Sequence, residues 1–521
     1  KYKDTQANST LALQKIQEFY NEGVRLVIGP VSSGEFFNII DYINSTGMIV
    51  ASPSSTASSK YLGYSPEQRR FAFRFMTPDD FEAKVMARIA NQLGKKTVII
   101  IYPDGVWGES LNSSLYTELA VLGINVTNSY LFHWGTSNFS SYISSMESDV
   151  NGLLSTYNLS EIAVIAIGGS EISDLIDQIP LNSNLLQIDW VASDFTYWSI
   201  APPCKANSIK LYSPVYNPTG PGYQAFVQRY ETQYNSTPYV FALNAYDALW
   251  SLVLAYSEVG SYDANQISNK LPSVAYNYSV GNYGIDSLTG NITFDEYHDR
   301  ISGNYSIYAV GGAQWVEVGR WVPGIDQLVL SPPPSYPMLT LPDVSIQLNR
   351  NVTVPVTLVN STNVTGVNFT LIYNGSVVQI IGFEKPLPSQ VYANIDNVNG
   401  IAYFAIVFNN TESGTFTIIN LTIHAASPGY TDFTILGAEI SDENFTPSFI
   451  CGVSSSATVT IVRGDVNGDG TVNIADVTMV AWMVVGKVPS DLTADFNGNG
   501  RVDIGDLSKI AYYVLGKISV L

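Results

Sequence analysis

Asp465-Val-Asn-Gly-Asp-Gly-Thr-Val-Asn-Ile-Ala-Asp476 and Asp495-Phe-Asn-Gly-Asn-Gly-Arg-Val-Asp-Ile-Gly-Asp506 are two stretches of twelve residues whose starts lie 30 residues apart (495 − 465 = 30). Asp465, Asn467, Asp469, Asn473 and Asp476 hold positions 1, 3, 5, 9 and 12 of the first, with Thr471 at position 7; Asp495, Asn497, Asn499, Asp503, Asp506 and Arg501 repeat the set. Oxygen-bearing side chains at alternate positions, a glycine at the sharp turn (Gly470, Gly500), a backbone carbonyl at position 7 and a closing carboxylate are what calcium requires around one point. Each loop runs into an apolar helical stretch, Val477 to Val485 and Leu507 to Leu515. One such loop could be a surface turn rich in Asp and Asn. Two in tandem predict two bound calcium ions.

Immediately before them the hydrophobic period is two. Val352, Val354, Val356 and Leu358 alternate with polar residues, Val367, Phe369 and Leu371 repeat the pattern, and further strands are expected at Ala402–Phe408, Thr415–His424, Thr431–Ile440 and Ser456–Val462. Turn pairs such as Asn374-Gly375 and Asn399-Gly400 separate them, which predicts an all-β sandwich over residues 343–463. Prolines 332, 333, 334, 337 and 342 cannot continue a helix or a central strand, so 326–342 reads as a stiff linker. Earlier still, over 1–325, short apolar strands alternate with amphipathic helices. Examples are Val24–Ile28, a helix near Gly34–Asn44 and Met48–Ala51, then Thr97–Tyr102 with Ser110–Leu122, and Ile162–Ile167 with Glu171–Ile179. That beat predicts parallel sheets covered by helices.

The chain of 521 residues is too long for one core, and with 46% hydrophobic and 13% charged residues it is not a disordered polyelectrolyte. Acidic residues outnumber basic ones 45 to 25, which disfavours nucleic acid as a partner, and no apolar run reaches the roughly 20 residues of a membrane span. Cys204 and Cys451 match no metal or redox spacing and read as two buried thiols or as one disulfide. Eighteen Asn-x-Ser/Thr sequons, among them Asn8, Asn125, Asn235, Asn291, Asn351, Asn368 and Asn444, point to an exported chain bearing N-linked glycans at the cell surface. The three histidines, His133, His298 and His424, adjoin no Ser or Cys nucleophile motif, so no enzyme is expected.

The paired loops close with Asp and lack the incoming helix of an EF-hand, and in both respects 464–521 resembles the dockerins. Dockerins bind cohesins, and the strand pattern of 343–463 resembles a cohesin, although a generic immunoglobulin-like spacer alternates in the same way. In the family, positions 10 and 11 of each loop meet the partner. Here they are Ile474-Ala475 and Ile504-Gly505, an apolar pair at both places, which speaks against a cellulosomal partner.

Lys3-Asp-Thr-Gln, Val27-Ile-Gly-Pro-Val-Ser-Ser-Gly, Ile49-Val-Ala-Ser-Pro-Ser, Phe73-Arg-Phe-Met-Thr-Pro-Asp and Asn244-Ala-Tyr-Asp-Ala make 1–325 resemble the type I periplasmic solute-binding proteins of the leucine/isoleucine/valine receptor family. The resemblance implies a two-lobed α/β fold. It also implies that Ser33, Ser54 and Thr56 receive the carboxylate of an amino-acid-like solute, Asp194 its ammonium, and Trp107 forms an aromatic wall. The same residues also read as turn and cap residues of a retained scaffold. In that family a strand and helix precede the point where this sequence begins, so the first strand is expected to be absent here or supplied by another chain.

Cohesin and dockerin in one polypeptide imply assembly of copies head to tail, because only Arg463 and Gly464 separate the last sandwich residue, Val462, from the first calcium loop. The expected function is a non-catalytic, calcium-dependent surface filament that displays a solute-binding fold. The rivals are the receptor of an amino-acid-type ABC transporter anchored at the surface, and an accessory subunit of a polysaccharide-degrading complex.

Overall fold

The computed structural model describes residues 1–180, 183–199, 204–207, 209–312, 314–333, 336–453, 455–460, 462–469 and 471–521. The chain divides into two compact units within the proline-rich segment near residue 334.

The first unit carries two sheets. Leu26–Ile28 (β1), Ile49–Ser52 (β2) and Ala72–Arg74 (β3) form a parallel sheet in the order β1-β2-β3. The second sheet comprises Thr97–Pro103 (β4), Asn125–Phe132 (β5), Ile162–Ala166 (β6), Asp189–Ala192 (β7), Tyr212–Asn217 (β8), Asn304–Gly311 (β9), Gln314–Val322 (β10) and Gln327–Leu330 (β11). Its order is β11-β10-β9-β8-β7-β6-β4-β5, parallel from β5 to β8 and antiparallel beyond, so the expectation of wholly parallel sheets fails at its far edge. For the last two pairs the physical reason is connection length: two residues separate β9 from β10 and four separate β10 from β11, and neither span can hold a crossover helix. The interior strands β4 and β6 are apolar and buried at nearly every position, as strands covered on both faces must be. The helix expected over 34–44 is two helices, Ser33–Asn38 and Ile40–Thr46, which meet at Ile39, where φ −100° and ψ −7° loosen the turn.

Across the first lobe a buried ion cluster ties distant segments. Asp299 accepts from Arg69 at 2.8 Å and from Arg74 Nε at 2.6 Å, and also contacts Arg74 Nη2 and Ser59. Both guanidinium groups are fully buried.

The second unit begins with the sandwich. Its strands are Met338–Thr340 (β12), Val344–Gln347 (β13), Asn351–Ile372 (β14), Val378–Glu384 (β15), Ser389–Asp396 (β16), Ile401–Ala425 (β17), Gly429–Ser441 (β18), Pro447–Phe449 (β19), Cys451–Val453 (β20) and Ser455–Thr460 (β21). β14 and β17 pair antiparallel along nearly their whole length, and β16 and β18 flank them. The alternating residues Val354, Val356, Leu358, Phe369 and Leu371 all point into the core, where Phe369 stacks on Phe404. Strands β11 and β12 lie inside the range read as linker, because the alternation at Gln327–Leu330 and Met338–Thr340 flanks the proline run on either side. Of that run, Pro334 lies outside the described residues. Both cysteines are disulfide-bonded, which excludes the reading as buried thiols.

The C-terminal module packs helices Ile474–Val484 and Ile504–Val514 around Val480, Met483, Ala494, Phe496, Ile510 and Leu521. Gly464 has φ +101° and a side chain there would collide with Leu521, so the last residue of the sequence seats against the start of the module.

Candidate functional sites

In the first calcium loop the backbone folds around its own acids. Asp476 is fully buried, and its Oδ1 accepts the backbone N–H groups of Val466 (2.8 Å) and Asn467 (3.0 Å) while Oδ2 accepts that of Asn473 (2.9 Å). Asn473 in turn caps the helix by accepting from Ala475 N, so Asp476 is the reciprocal acid of a capping box. That explains an aspartate at position 12, since its shorter arm reaches the loop amides and the ion site together. Carboxylate oxygens of Asp465, Asp469 and Asp476 lie within 4.8 Å of one another. This donor set of hard, converging oxygens fits calcium. Asn467 and Asn473 border it, and Gly470 lies outside the described residues.

The second loop repeats the backbone but not the charge. Asp506 accepts from Phe496, Asn497 and Asp503 as Asp476 does, and Asp495 gathers the amides of Gly498, Asn499 and Gly500. Asp503 Oδ2, however, is engaged by Asn499 Nδ2 at 2.9 Å and by Arg501 Nε at 3.1 Å. Among the described residues the one convergent acidic group is in the first loop.

Outside the loops the two helices present matched apolar faces. Ile474, Trp482 and Val485 are exposed on one, and Ile504, Tyr512 and Leu515 on the other, each pair 30 residues apart. Ala475 and Gly505 lie beside them, also exposed. On the sandwich, Tyr392 of β16 and Ile401, Tyr403 and Val407 of β17 are exposed on adjacent paired strands and form an apolar outer surface.

In the first unit the five residues expected to contact a solute have the following neighbours. Ser33 Oγ accepts the N–H groups of Thr56 and Ala57, and Ser54 Oγ donates to Val31 O, so both hydroxyls bind the two strand-to-helix turns to each other. The carbonyl of Thr56 accepts Asp79 N at 2.7 Å, and Glu82 Oε1 accepts the N–H of Asp194 at 2.7 Å, which joins the turns of the first sheet to those of the second. Trp107 packs edge-on against Phe195 at 5.8 Å.

Sequence reasoning missed Asp79 and Glu82 as site residues. Acids in this position favour a helix N-terminus, and the helix Asp79–Gln92 starts there with Asp79, Asp80 and Glu82 in its first turn. Burial pushes the Asp79 carboxyl up to about 8 and that of Asp194 up to about 7, and burial followed by the charge of Asp194 raises Glu82 well above the carboxylate range. Separate from these acids, a groove of about 430 Å³ lined by Ile16, Phe19, Leu26, Ile28 and Val31 runs along β1.

Of the seven asparagines singled out for glycans, Asn8, Asn125, Asn235, Asn291, Asn351 and Asn444 are exposed, and Asn368 is half-buried with its Nδ2 on Glu439.

These features define a binding protein of two lobes joined to a β-sandwich and a paired calcium-loop module. The model of the receptor family ligand binding region matches residues 1–313, and the chain belongs to that family. The cohesin domain model matches 337–478 and the dockerin type I domain model matches 463–515. An uncharacterized protein of Methanocaldococcus jannaschii is 34% identical over 328 residues, 61% of this chain and 78% of that protein. The Leu/Ile/Val-binding protein BraC3 of Rhizobium johnstonii is 22% identical over 295 residues, 55% of this chain and 73% of the relative. A crystal structure of a leucine-binding protein from Thermotoga maritima matches 62% of this chain and 87% of its own at 20% identity and a TM-score of 0.49.

Proposed function

We propose that this chain is a non-catalytic, glycosylated extracellular surface protein that joins its copies head to tail, the dockerin of one on the cohesin of the next, with calcium ordering the dockerin. The observation that carries this reading is the presence of both halves of a complementary pair in one polypeptide. Two features support contact between copies. Gly468 of the first calcium loop lies against Asn349, whose N–H donates to Ala425 O at the opposite end of β17 from Tyr403. The exposed apolar residues of the dockerin helices and of β16 and β17 therefore offer surfaces for a neighbour. Such an interface is heterologous and extends into a filament unless its rotation closes a ring.

The residues that would hold the ions are Asp465, Asn467, Asp469, Thr471, Asn473 and Asp476 in the first loop, and Asp495, Asn497, Asn499, Arg501, Asp503 and Asp506 in the second, Thr471 and Arg501 through their backbone carbonyls. Bound calcium supplies the positive charge that lets clustered carboxylates stay together, so the helices it precedes are ordered only with it. The docking contact is assigned to Ile474, Ala475, Ile504 and Gly505.

Sedimentation velocity of the whole protein tests this: large species in calcium, a single small species in excess chelator, and loss of the large species in an Ile474→Asp, Ile504→Asp variant. A single small species in all conditions would refute it. The second reading, a solute receptor of an ABC transporter anchored at the surface, is favoured by a different observation, the buried acids Asp79, Glu82 and Asp194 where the turns of the two sheets meet.

A further inference from the structure

The buried acids of the first unit play no part in assembly. Asp79 and Glu82 stand three residues apart on one helix and so share a face. The hydrogen bond from Asp194 N to Glu82 fixes the third acid beside them. Asp79 is 1% and Glu82 4% exposed. Neither carboxylate oxygen of Asp79 meets a donor in good hydrogen-bond geometry, the Thr56 hydroxyl and the charge of Arg74 being the favourable influences on it, and Oδ1 of the fully buried Asn244 is likewise unpartnered among the described residues. Asn244 donates to the carbonyl of Pro53, in the loop whose Thr56 carbonyl receives Asp79 N.

The orphaned atoms of Asp79 and Asn244 are all acceptors, so a donor would satisfy them. The neighbouring cations are already committed. Arg74 is held by Asp299, and Arg300 by Thr289 and the carbonyls of Phe75 and Asn291. Buried acids without a cation, which burial keeps protonated, are rare in native interiors and mark sites where an arriving cation can take the place of the proton. A metal ion is a poor candidate, because the three acids do not converge as those of the first calcium loop do. A zwitterion such as leucine would bring a carboxylate of its own and leave three acids facing one ammonium. Carboxylates spread along a helix face and across to the second lobe suit separated ammonium groups, and the aromatic surface of Trp107 and Phe195 suits the methylenes between them.

We infer that the place where these acids meet takes a ligand with two ammonium groups, a diamine or a basic amino acid, with Asp194 facing one and Asp79 and Glu82 the other. This rests on the receptor reading of the first unit and is independent of assembly. Calorimetry on the whole protein with cadaverine, L-lysine, pentylamine and L-leucine tests it. Cadaverine or lysine should bind at least about tenfold more tightly than pentylamine or leucine, the worth of one added charged hydrogen bond. Glu82→Gln keeps an oxygen for Asp194 N, so the fold is retained, and it should remove most of that advantage while leaving pentylamine within about threefold. Cadaverine separates from lysine according to whether a carboxylate is also received at Ser33 and Thr56. Leucine binding in preference to both would overturn the inference and leave the receptor reading standing. No binding of any of the four would overturn both.

Discussion

Replacing Asp476 by alanine should unfold the dockerin and leave the rest of the chain intact. The side chain takes three backbone N–H groups, each at 2.8 to 3.0 Å, from a fully buried position. Hydrogen bonds to a charged group contribute about 1.5–3 kcal/mol each, and removal strands the donors. Since the three share one carboxylate and are not additive, about 4–6 kcal/mol is the expected loss, before any effect on calcium. The helix also loses its first-turn acid, about 0.3–1 kcal/mol. A module of this size holds roughly 3–9 kcal/mol in total. The loss is therefore comparable with all of it. Hydrogen exchange read by mass spectrometry on the whole protein in calcium is the assay, since it resolves the module from the other domains. Peptides spanning Ile474–Val484 should lose their protection while those of β14 and β17 keep theirs. Asp476→Asn, which retains an oxygen acceptor but no charge, should fall between. Protection of that helix within about tenfold of the parent in the alanine variant would refute the assignment of Asp476 as the centre of the loop.

Calcium titration by calorimetry should show two unequal steps, because Arg501 holds Asp503 in the second loop. Arg501→Thr should tighten the weaker step severalfold and leave the stronger one unchanged. Asp299→Asn leaves two buried guanidinium groups without their shared carboxylate, so it should destabilise the first unit by about 3–5 kcal/mol, read from its transition in scanning calorimetry. The raised carboxyl of Asp79 makes the ligand-free first unit most stable where that group is protonated in both states. Stability should decline as pH rises from about 4 towards 8 and level off above, and Asp79→Asn should flatten that slope in thermal melts. Glycopeptide mapping should find Asn235 and Asn444 modified and Asn368 bare, since its amide is bound to Glu439 between strands.

The calcium loops were legible because their donors are local: one turn of chain supplies every oxygen, and the spacing survives in sequence. The sandwich was legible through alternation, but its long strands were not. Residues 352–358 and 367–371 read as separate strands, yet β14 is continuous, with register shifts against β17 where Asn360 and Asn363 take positive φ. The bulges interrupt the alternation without ending the pairing. The same reason divides the sequence reading of β17.

In the first unit, Ser33, Ser54, Thr56, Trp107 and Asp194 were singled out through resemblance, and the hydrogen bonds that link the loops of Ser33, Ser54 and Thr56, with Asp194 at a helix start, are tertiary features with no signal in sequence. Glu82 was invisible for a physical reason. On its helix it is one acid among Asp79, Asp80 and Glu82, and only tertiary contact with Asp194 N distinguishes it from a solvated first-turn carboxylate.

Electron microscopy of the purified whole protein in calcium, and again after chelation, addresses the assembly claim most directly. Filaments whose repeat matches one copy of the chain, dissolving on chelation and reforming when calcium is restored, are the predicted result. Dispersed single molecules in both conditions, or filaments indifferent to chelation, would contradict it.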